Sequence, residues 1–415
     1  MFHMYFGFAL DRDEEIIDQI TLVEMPEGKS YTGQRQAEIF CHGGRFVLTR
    51  ILKEIFSLGA RPAEPGEFTR RAFLSGRIDL ASAEAVADLV AAQTEYAYQT
   101  ARQNLLGFFS EQIEDIRREV IAILAEIEAS IDYPEEGLEA KTSRHIIDSL
   151  DRTIAHIGRL VDSYKAGRII REGYKIAVAG RTNAGKSSLF NRLLNQNRAL
   201  VASLPGTTRD YLTEWIDLDG MAVSLTDTAG IRATSSRLEK AGQKSSEEIV
   251  AEADLIVWIA DISRPKWSGE LKSDLDRLKD RQNIQIVLNK IDKIKRKNKL
   301  TDPSELPADR GEVALISCLT GAGLDDLRSM LIGRINETMP DTSERMVVTS
   351  LRHQAKLAEA QKSFTRASQG IRQGQTPELT AFDLRQGINE IDEITGKVYN
   401  EEILDEIFSR FCIGK

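Results

Sequence analysis

The residues with the clearest chemical capacity run from Gly180 to Ser187 and read Gly-Arg-Thr-Asn-Ala-Gly-Lys-Ser. They follow the apolar run Tyr174 to Ala179 and precede Leu189-Phe190-Asn191-Arg192-Leu193-Leu194, so a strand, a glycine turn and a helix start are predicted in that order. That order builds a phosphate cradle: glycines let backbone N–H groups face an anion, and the helix N-terminus adds favourable potential. Asn183, Ala184, Gly185, Lys186, Ser187 and Ser188 are the expected contacts. Lys186 reaches the β- and γ-phosphates, and the Ser187 hydroxyl binds magnesium.

Three further signals follow in the order a guanine-nucleotide domain requires. Asp227-Thr228-Ala229-Gly230 closes the apolar segment Met221 to Leu225. A carboxylate at such a strand end holds magnesium through water, and Gly230 offers its N–H to the γ-phosphate. Asn289-Lys290-Ile291-Asp292 ends the strand-like run Ile284 to Leu288, which places Asp292 to accept two hydrogen bonds from the guanine ring N–H and exocyclic amine. Adenine lacks both donors in that arrangement and would leave the carboxylate unpaired, so the expected ligand is GTP rather than ATP. Ser317-Cys318 follows Val313 to Ile316 and is placed to present a backbone N–H to the guanine oxygen.

These motifs need a scaffold. At 415 residues the chain exceeds one ordinary core and is expected to hold about two to three domains. A hydrophobic content of 41% and a charged content of 29% are those of a soluble globular protein. A net charge of −9 disfavours indiscriminate nucleic-acid binding. The basic run Lys290 to Lys299 reads as a solvated loop beside the guanine site. Cys41, Cys318 and Cys412 are widely spaced and form no C-x-x-C pair, which argues against a disulfide framework or a zinc site. With no run of ~18 apolar residues and no basic-then-apolar leader, the expected location is the cytoplasm, away from membrane.

Residues 1–75 read as mixed α/β, with strand-like Ile20 to Met25 and Ala37 to Cys41, then a helical Arg45 to Leu58 before the breakers Pro62, Pro65 and Gly66. Residues 76–173 take the period of long helices, as in Ile113, Ile116, Val120, Ile123, Leu124, Ile127 and Ile131. Asp132-Tyr133-Pro134 stops that helix, and another runs from about Ser143 to Ile170. Residues 174–340 carry the nucleotide motifs, and helical spacing returns in 341–415, through Val347 to Gly370 and Ala381 to Phe411. The expected fold is an α/β P-loop GTPase domain inserted in an α-helical domain and preceded by a small α+β domain.

That order, together with several distinctive strings, resembles the MnmE (TrmE) family of tRNA-modification GTPases over nearly the whole chain. The strings are Ser30-Tyr31-Thr32-Gly33, Cys41-His42-Gly43-Gly44, Glu64-Pro65-Gly66-Glu67-Phe68-Thr69-Arg70-Arg71-Ala72-Phe73-Leu74, Ala83 to Asp88, Pro205-Gly206-Thr207-Thr208-Arg209-Asp210 and the terminal Phe411-Cys412-Ile413-Gly414-Lys415. The resemblance implies an enzyme that acts with a flavoprotein partner, MnmG or GidA, on carbon 5 of the wobble uridine of certain tRNAs. An aminomethyl or carboxymethylaminomethyl group would be added using the carbon of 5-formyl-tetrahydrofolate or a related folate. The same resemblance makes the first domain folate-binding and dimerising, and shortened at its start relative to the family.

Ile231 stands where many small GTPases carry the glutamine that orients attacking water. The family instead implies Glu239 for that role, potassium held by Asn183 and the Leu200 to Thr208 loop including Thr207, and Thr208 completing the magnesium shell. It also implies a homodimer whose nucleotide domains meet across their switch faces. Cys412 would lie near the modification site as nucleophile or positioning group, with a buried structural thiol as the alternative. Arg70 and Arg71 are open between a folate carboxylate or phosphate and nearby acids. Two rival readings are a ribosome-assembly switch like Era or EngA, and a folate-dependent transferase in which the nucleotide domain is only regulatory.

Overall fold

The structure, a computed structural model, describes residues 2–132, 140–196, 213–228, 246–278, 283–294, 312–338, 347–412 and 414. In chain order, strands β1 (His3–Leu10), β2 (Ile16–Met25) and β3 (Gln36–Phe40) are followed by helices α1 (Arg45–Ser57), α2 (Glu67–Leu74), α3 (Leu80–Ala91), α4 (Glu95–Leu105), α5 (Phe108–Asp132) and α6 (Ala140–Glu172). The central stretch holds β4 (Tyr174–Gly180), α7 (Lys186–Gln196), β5 (Thr213–Leu218), β6 (Met221–Asp227), α8 (Ser246–Glu252), β7 (Leu255–Asp261), α9 (Trp267–Arg277), β8 (Ile284–Asn289), β9 (Ala314–Ile316) and α10 (Leu324–Thr338). Helices α11 (Leu351–Arg372), α12 (Pro377–Thr395) and α13 (Glu401–Ser409) complete it.

Two compact units divide the chain: residues 1–90, 101–158 and 355–415 form one, and residues 91–100 and 159–354 the other. The first unit contains the antiparallel sheet β1-β2-β3 and helices drawn from both sides of the central stretch. In α5 the residues Phe109, Ile113, Ile116, Val120, Ile123 and Ile127 are buried at the alternating spacing of three and four that lines one helix face. That face packs on α12, where Leu384, Ile388 and Ile391 are also buried. Arg117 of α5 donates to Asp392 of α12 at 2.5 Å, locking the register of two helices far apart in sequence.

The helical spacing expected from residue 76 to the stop at Asp132-Tyr133-Pro134 resolves into the three helices α3, α4 and α5, and that of Ala381 to Phe411 breaks at Gly396 into α12 and α13. Two elements lacked a local signal. The His3–Leu10 strand carries apolar residues on both of its faces, which hides the period of two, and α2 starts directly after the breakers Pro65 and Gly66.

The second unit is a six-stranded sheet in the order β5-β6-β4-β7-β8-β9. The pairs β4–β6, β4–β7, β7–β8 and β8–β9 are parallel, and only edge strand β5 runs antiparallel. Parallel strands buried on both faces read as near-continuous apolar runs, as β4, β7 and β8 do here. Their register sets Val178 against Asp227, Gly180 against Ile259, Asp261 against Asn289, and Asn289 against Ile316. The polar residues that end these strands therefore emerge along one carboxyl edge, the place where sheets of this kind bind ligands.

A methyl group at Gly387 of α12 would lie 2.2 Å from a ring carbon of the fully buried Phe364. Overpacking of that kind costs about 1–3 kcal/mol, which outweighs the ~1 kcal/mol alanine gains over glycine in a helix. Gly387→Ala is expected to lower the calorimetric melting temperature. Gly333→Ala in α10, where an added carbon meets nothing within 4 Å, is expected to leave it unchanged or raise it.

Candidate functional site: a guanine-nucleotide cleft

The loop from β4 to α7 is held by side-chain donors. Lys186 Nζ donates to the carbonyls of Gly180 (2.9 Å) and Arg181 (2.8 Å), and Arg264 donates to that of Thr182 (3.0 Å). Lys290 Nζ donates to the Asn183 carbonyl at 2.7 Å, and Asn289 Nδ2 to the Ala184 carbonyl at 2.9 Å. All carbonyls from Gly180 to Ala184 thus accept a side-chain hydrogen bond. These bonds fix the orientation of the loop's peptide planes, and the Ala184 N–H closes the turn on the Arg181 carbonyl at 3.3 Å. Gly185 makes the close approach possible: at φ +109°, a Cβ there would sit 2.2 Å from Asn289 Nδ2.

The cleft this loop borders has a volume of about 1240 Å³ and is lined by the loop residues with Thr228, Trp258 and Lys290 among others. Ser187 Oγ donates to Asp227 Oδ2 at 2.7 Å, which brings a hydroxyl and a carboxylate to one point. Such hard oxygen donors beside a phosphate loop suit magnesium. Thr228 hydrogen-bonds the Val178 carbonyl through its hydroxyl at 2.9 Å and so ties the end of β6 to β4.

The part of the cleft expected to meet the base is built on Asn289, which is 1% exposed. Besides reaching the Ala184 carbonyl, its Oδ1 accepts from the Lys290 N–H (2.8 Å) and the Cys318 N–H (3.0 Å). Asn289 therefore joins the phosphate loop, its own following turn and the loop after β9. In this structure the Cys318 N–H is bonded to Asn289, not presented to the cleft. Ser317 Oγ donates to Asp292 Oδ1 at 2.5 Å and orients the exposed carboxylate expected to read guanine. Arg192 of α7 secures the same loop by donating to the carbonyls of Cys318 (2.9 Å) and Leu319 (2.8 Å).

Burial pushes the Cys318 thiol up to about 11, against the smaller opposing effect of Arg192. Burial also pushes the Asp261 carboxyl up, but hydrogen bonds from Lys290 and Ser263 outweigh it and the net shift is downward. Asp261 and Arg264 carried no motif in the sequence. The only local sign was that the apolar run Leu255 to Ala260 ends on an aspartate, as the run before Asp227 does. Arg181, the second residue of the loop motif, makes a two-pronged ion pair with Asp274 of α9 at 2.8 and 2.9 Å.

Of the other expected residues, Thr207, Thr208, Ala229, Gly230 and Glu239 lie outside the described residues, as does the basic run beyond Ile294. Cys412 belongs to the other unit and is exposed, which corrects the alternative of a buried structural thiol. Its carbonyl accepts from the Gly66 N–H at 3.4 Å, and Phe408 and Phe411 beside it are buried with Phe73 and Leu80. Gly66 opens α2 at φ +67°, where a Cβ would come 2.8 Å from the Phe408 carbonyl. The Glu64 to Leu74 string and the terminal cysteine, remote in sequence, are thus neighbours. Arg70 pairs with Glu401 (2.6 Å) and Asp405 (2.9 Å), and Arg71 with Glu67 (2.5 Å), so both arginines meet acids.

A parallel sheet with a phosphate loop after β4, a Ser–Asp pair beside it and an oriented aspartate after Asn-Lys defines a P-loop GTPase, here inserted between two sets of helices. The chain belongs to the MnmE family. The MnmE helical-domain model matches residues 80–412, and the model for the GTP-binding protein TrmE N-terminus matches residues 2–77. It is 37% identical over 413 residues to the tRNA modification GTPase MnmE of Thermoanaerobacter sp. (strain X514), covering 99% of this chain and 89% of that protein. The protein of the same name from Clostridioides difficile (strain 630) is 39% identical over 413 residues, with the same 99% and 89% coverage. That from Aquifex aeolicus (strain VF5) is 37% identical over 415 residues, covering 100% of this chain and 90% of the relative. With the family comes the class of reaction: the chain is a GTP-hydrolysing enzyme.

Two outcomes check this geometry. Asp292→Asn replaces an acceptor with a donor facing guanine's exocyclic amine, so GDP affinity is expected to fall at least about tenfold while xanthosine diphosphate, which has an oxygen there, binds better. Thiol labelling of the native protein at pH 8, mapped by mass spectrometry, is expected to modify the exposed Cys412 and spare Cys318, whose thiol burial pushes up to about 11.

Proposed function

We propose that this chain couples GTP hydrolysis to modification of carbon 5 of the wobble uridine in certain tRNAs, adding an aminomethyl or carboxymethylaminomethyl group together with a flavoprotein partner of the MnmG (GidA) type. The observation that carries the reading is the match to relatives named tRNA modification GTPase over at least 99% of this chain. The ribosome-assembly and regulatory-transferase readings have no comparable support.

In the nucleotide cleft, the loop amides and Lys186 bind the β- and γ-phosphates and Asp292 selects guanine. Ser187, Asp227 and Thr208 would hold magnesium, which supplies positive charge where negative charge develops on the phosphate oxygens. Asn183 lines the cleft with its backbone fixed at φ 63° and its carbonyl held by Lys290, and its carboxamide oxygen is a suitable donor for potassium, with Thr207 as a second. Glu239 orients the attacking water, a task hydrophobic Ile231 cannot perform.

In the other unit, exposed Cys412 stands at the nucleic-acid chemistry, as nucleophile or positioning group. Arg70 and Arg71, the basic groups the motif offers to a folate carboxylate, are neutralised by Glu401, Asp405 and Glu67. The folate donor therefore rests on the family resemblance alone. A homodimer is favoured by Met4, Phe6 and Phe8 of β1, which share one face and are 73%, 74% and 55% exposed. Among the described residues no helix is long and apolar enough to cross a membrane.

GTP turnover in potassium is expected to exceed that in sodium, at matched ionic strength, by at least about tenfold, and Glu239→Ala is expected to abolish the difference. Equal rates in the two salts would overturn the potassium role of Asn183. Nucleoside analysis of tRNA from a deletion strain is expected to lack the modified wobble uridine. An unchanged wobble position would overturn the proposed substrate.

A further inference from the structure

Two of the side chains that hold the phosphate loop, Arg264 on the Thr182 carbonyl and Lys290 on the Asn183 carbonyl, converge on one carboxylate. That carboxylate is Asp261, the last residue of β7, which is 8% exposed. Its Oδ2 lies 2.6 Å from Lys290 Nζ and 3.6 Å from Arg264 Nε. Its Oδ1 accepts from the Ser263 N–H (3.0 Å) and hydroxyl (2.6 Å), which fix the carboxylate's rotamer. Arg264 and Lys290 line the nucleotide cleft, and Asp261 stands behind them without lining it. We propose that Asp261 is a positioning residue for guanine-nucleotide binding, holding Arg264 and Lys290 against the loop carbonyls and so keeping the loop in its phosphate-binding shape.

The chemistry favours this arrangement over a merely structural ion pair. Arg264 is 40% exposed, and a pair of that kind alone contributes little. Its tip, however, also caps the Thr182 carbonyl and so fixes the orientation of a peptide plane in the phosphate loop. Lys290 has a left-handed backbone at φ 73°, which projects its side chain from the end of β8 to the loop, and only a fixed anion at the far end keeps the ammonium there once phosphates compete for it. Buried behind both cations, Asp261 supplies that anion without touching the ligand.

The inference rests on the reading of this cleft as a GTP site. The test is equilibrium titration of the full-length chain with fluorescently labelled GDP, using Asp261→Asn, Arg264→Gln and the double variant, alongside the melting temperature of each without nucleotide. Asp261→Asn is expected to weaken GDP at least about tenfold, and Arg264→Gln about threefold. The double variant should be no weaker than about the Asp261 variant, because the second change removes a side chain already released. Unchanged GDP affinity in Asp261→Asn, or losses that multiply in full in the double variant, would overturn the proposal. Should Asp261→Asn fail to fold, Arg264→Gln, altered at a half-exposed side chain, decides alone: wild-type affinity there overturns it. Failure of the unaltered chain to bind GDP would instead overturn the reading of the cleft itself.

Discussion

A phosphate cradle depends on which way a short loop turns its peptide planes. Each plane carries a donor and an acceptor, and a buried one left unpaired costs roughly 1–3 kcal/mol, more than a made bond contributes. In this protein the question is settled by the carbonyls, which Lys186, Arg264, Lys290 and Asn289 take from Gly180 through Ala184. With every acceptor from Gly180 to Ala184 engaged, the loop's peptide planes are fixed beside the cleft. The proposed magnesium and guanine contacts would act on a site whose shape this pairing has already set.

The pairing in turn depends on sheet register. Asn289 reaches the Ala184 carbonyl across 105 residues of chain because β8 and β4 both flank β7 and end at the same edge. Strands buried on both faces hold that register through their apolar side chains, so polar groups appear only where the strands stop. Asp227, Asp261 and Asn289 are such terminal residues, and all three are nearly fully buried and hydrogen-bonded. A slip of one residue in any strand would separate the Ser187–Asp227 pair or leave Asn289 unpaired.

The helical unit follows a different logic. Its stability comes from apolar faces such as that of α5, and its specificity from a few polar contacts, of which Arg117–Asp392 joins helices on either side of the inserted sheet. Losing one member of a half-buried pair matters far more than losing an exposed one such as Arg410–Glu406, whose contribution is at most about 1 kcal/mol. The same unit brings the Gly66 turn to the terminal cysteine, held by Phe408 and Phe411 in a cluster with Phe73 and Leu80. The cysteine itself stays exposed while its neighbours anchor it.

Much of this was legible in the sequence. The strand, glycine turn and helix around Lys186, the strand ends at Asp227 and Asn289, and the helical period of α5 are local features, governed by turn chemistry and side-chain period over a few residues. The insertion of one domain in another also showed, as a change of period and back. What the sequence left open is set by distance in the chain. Asp261 and Arg264 had no motif, and α2 was hidden behind the breakers that open it. These residues act through partners tens of residues away, and only the tertiary packing of strand ends, where each buried polar group must find a partner, decided which partners those are.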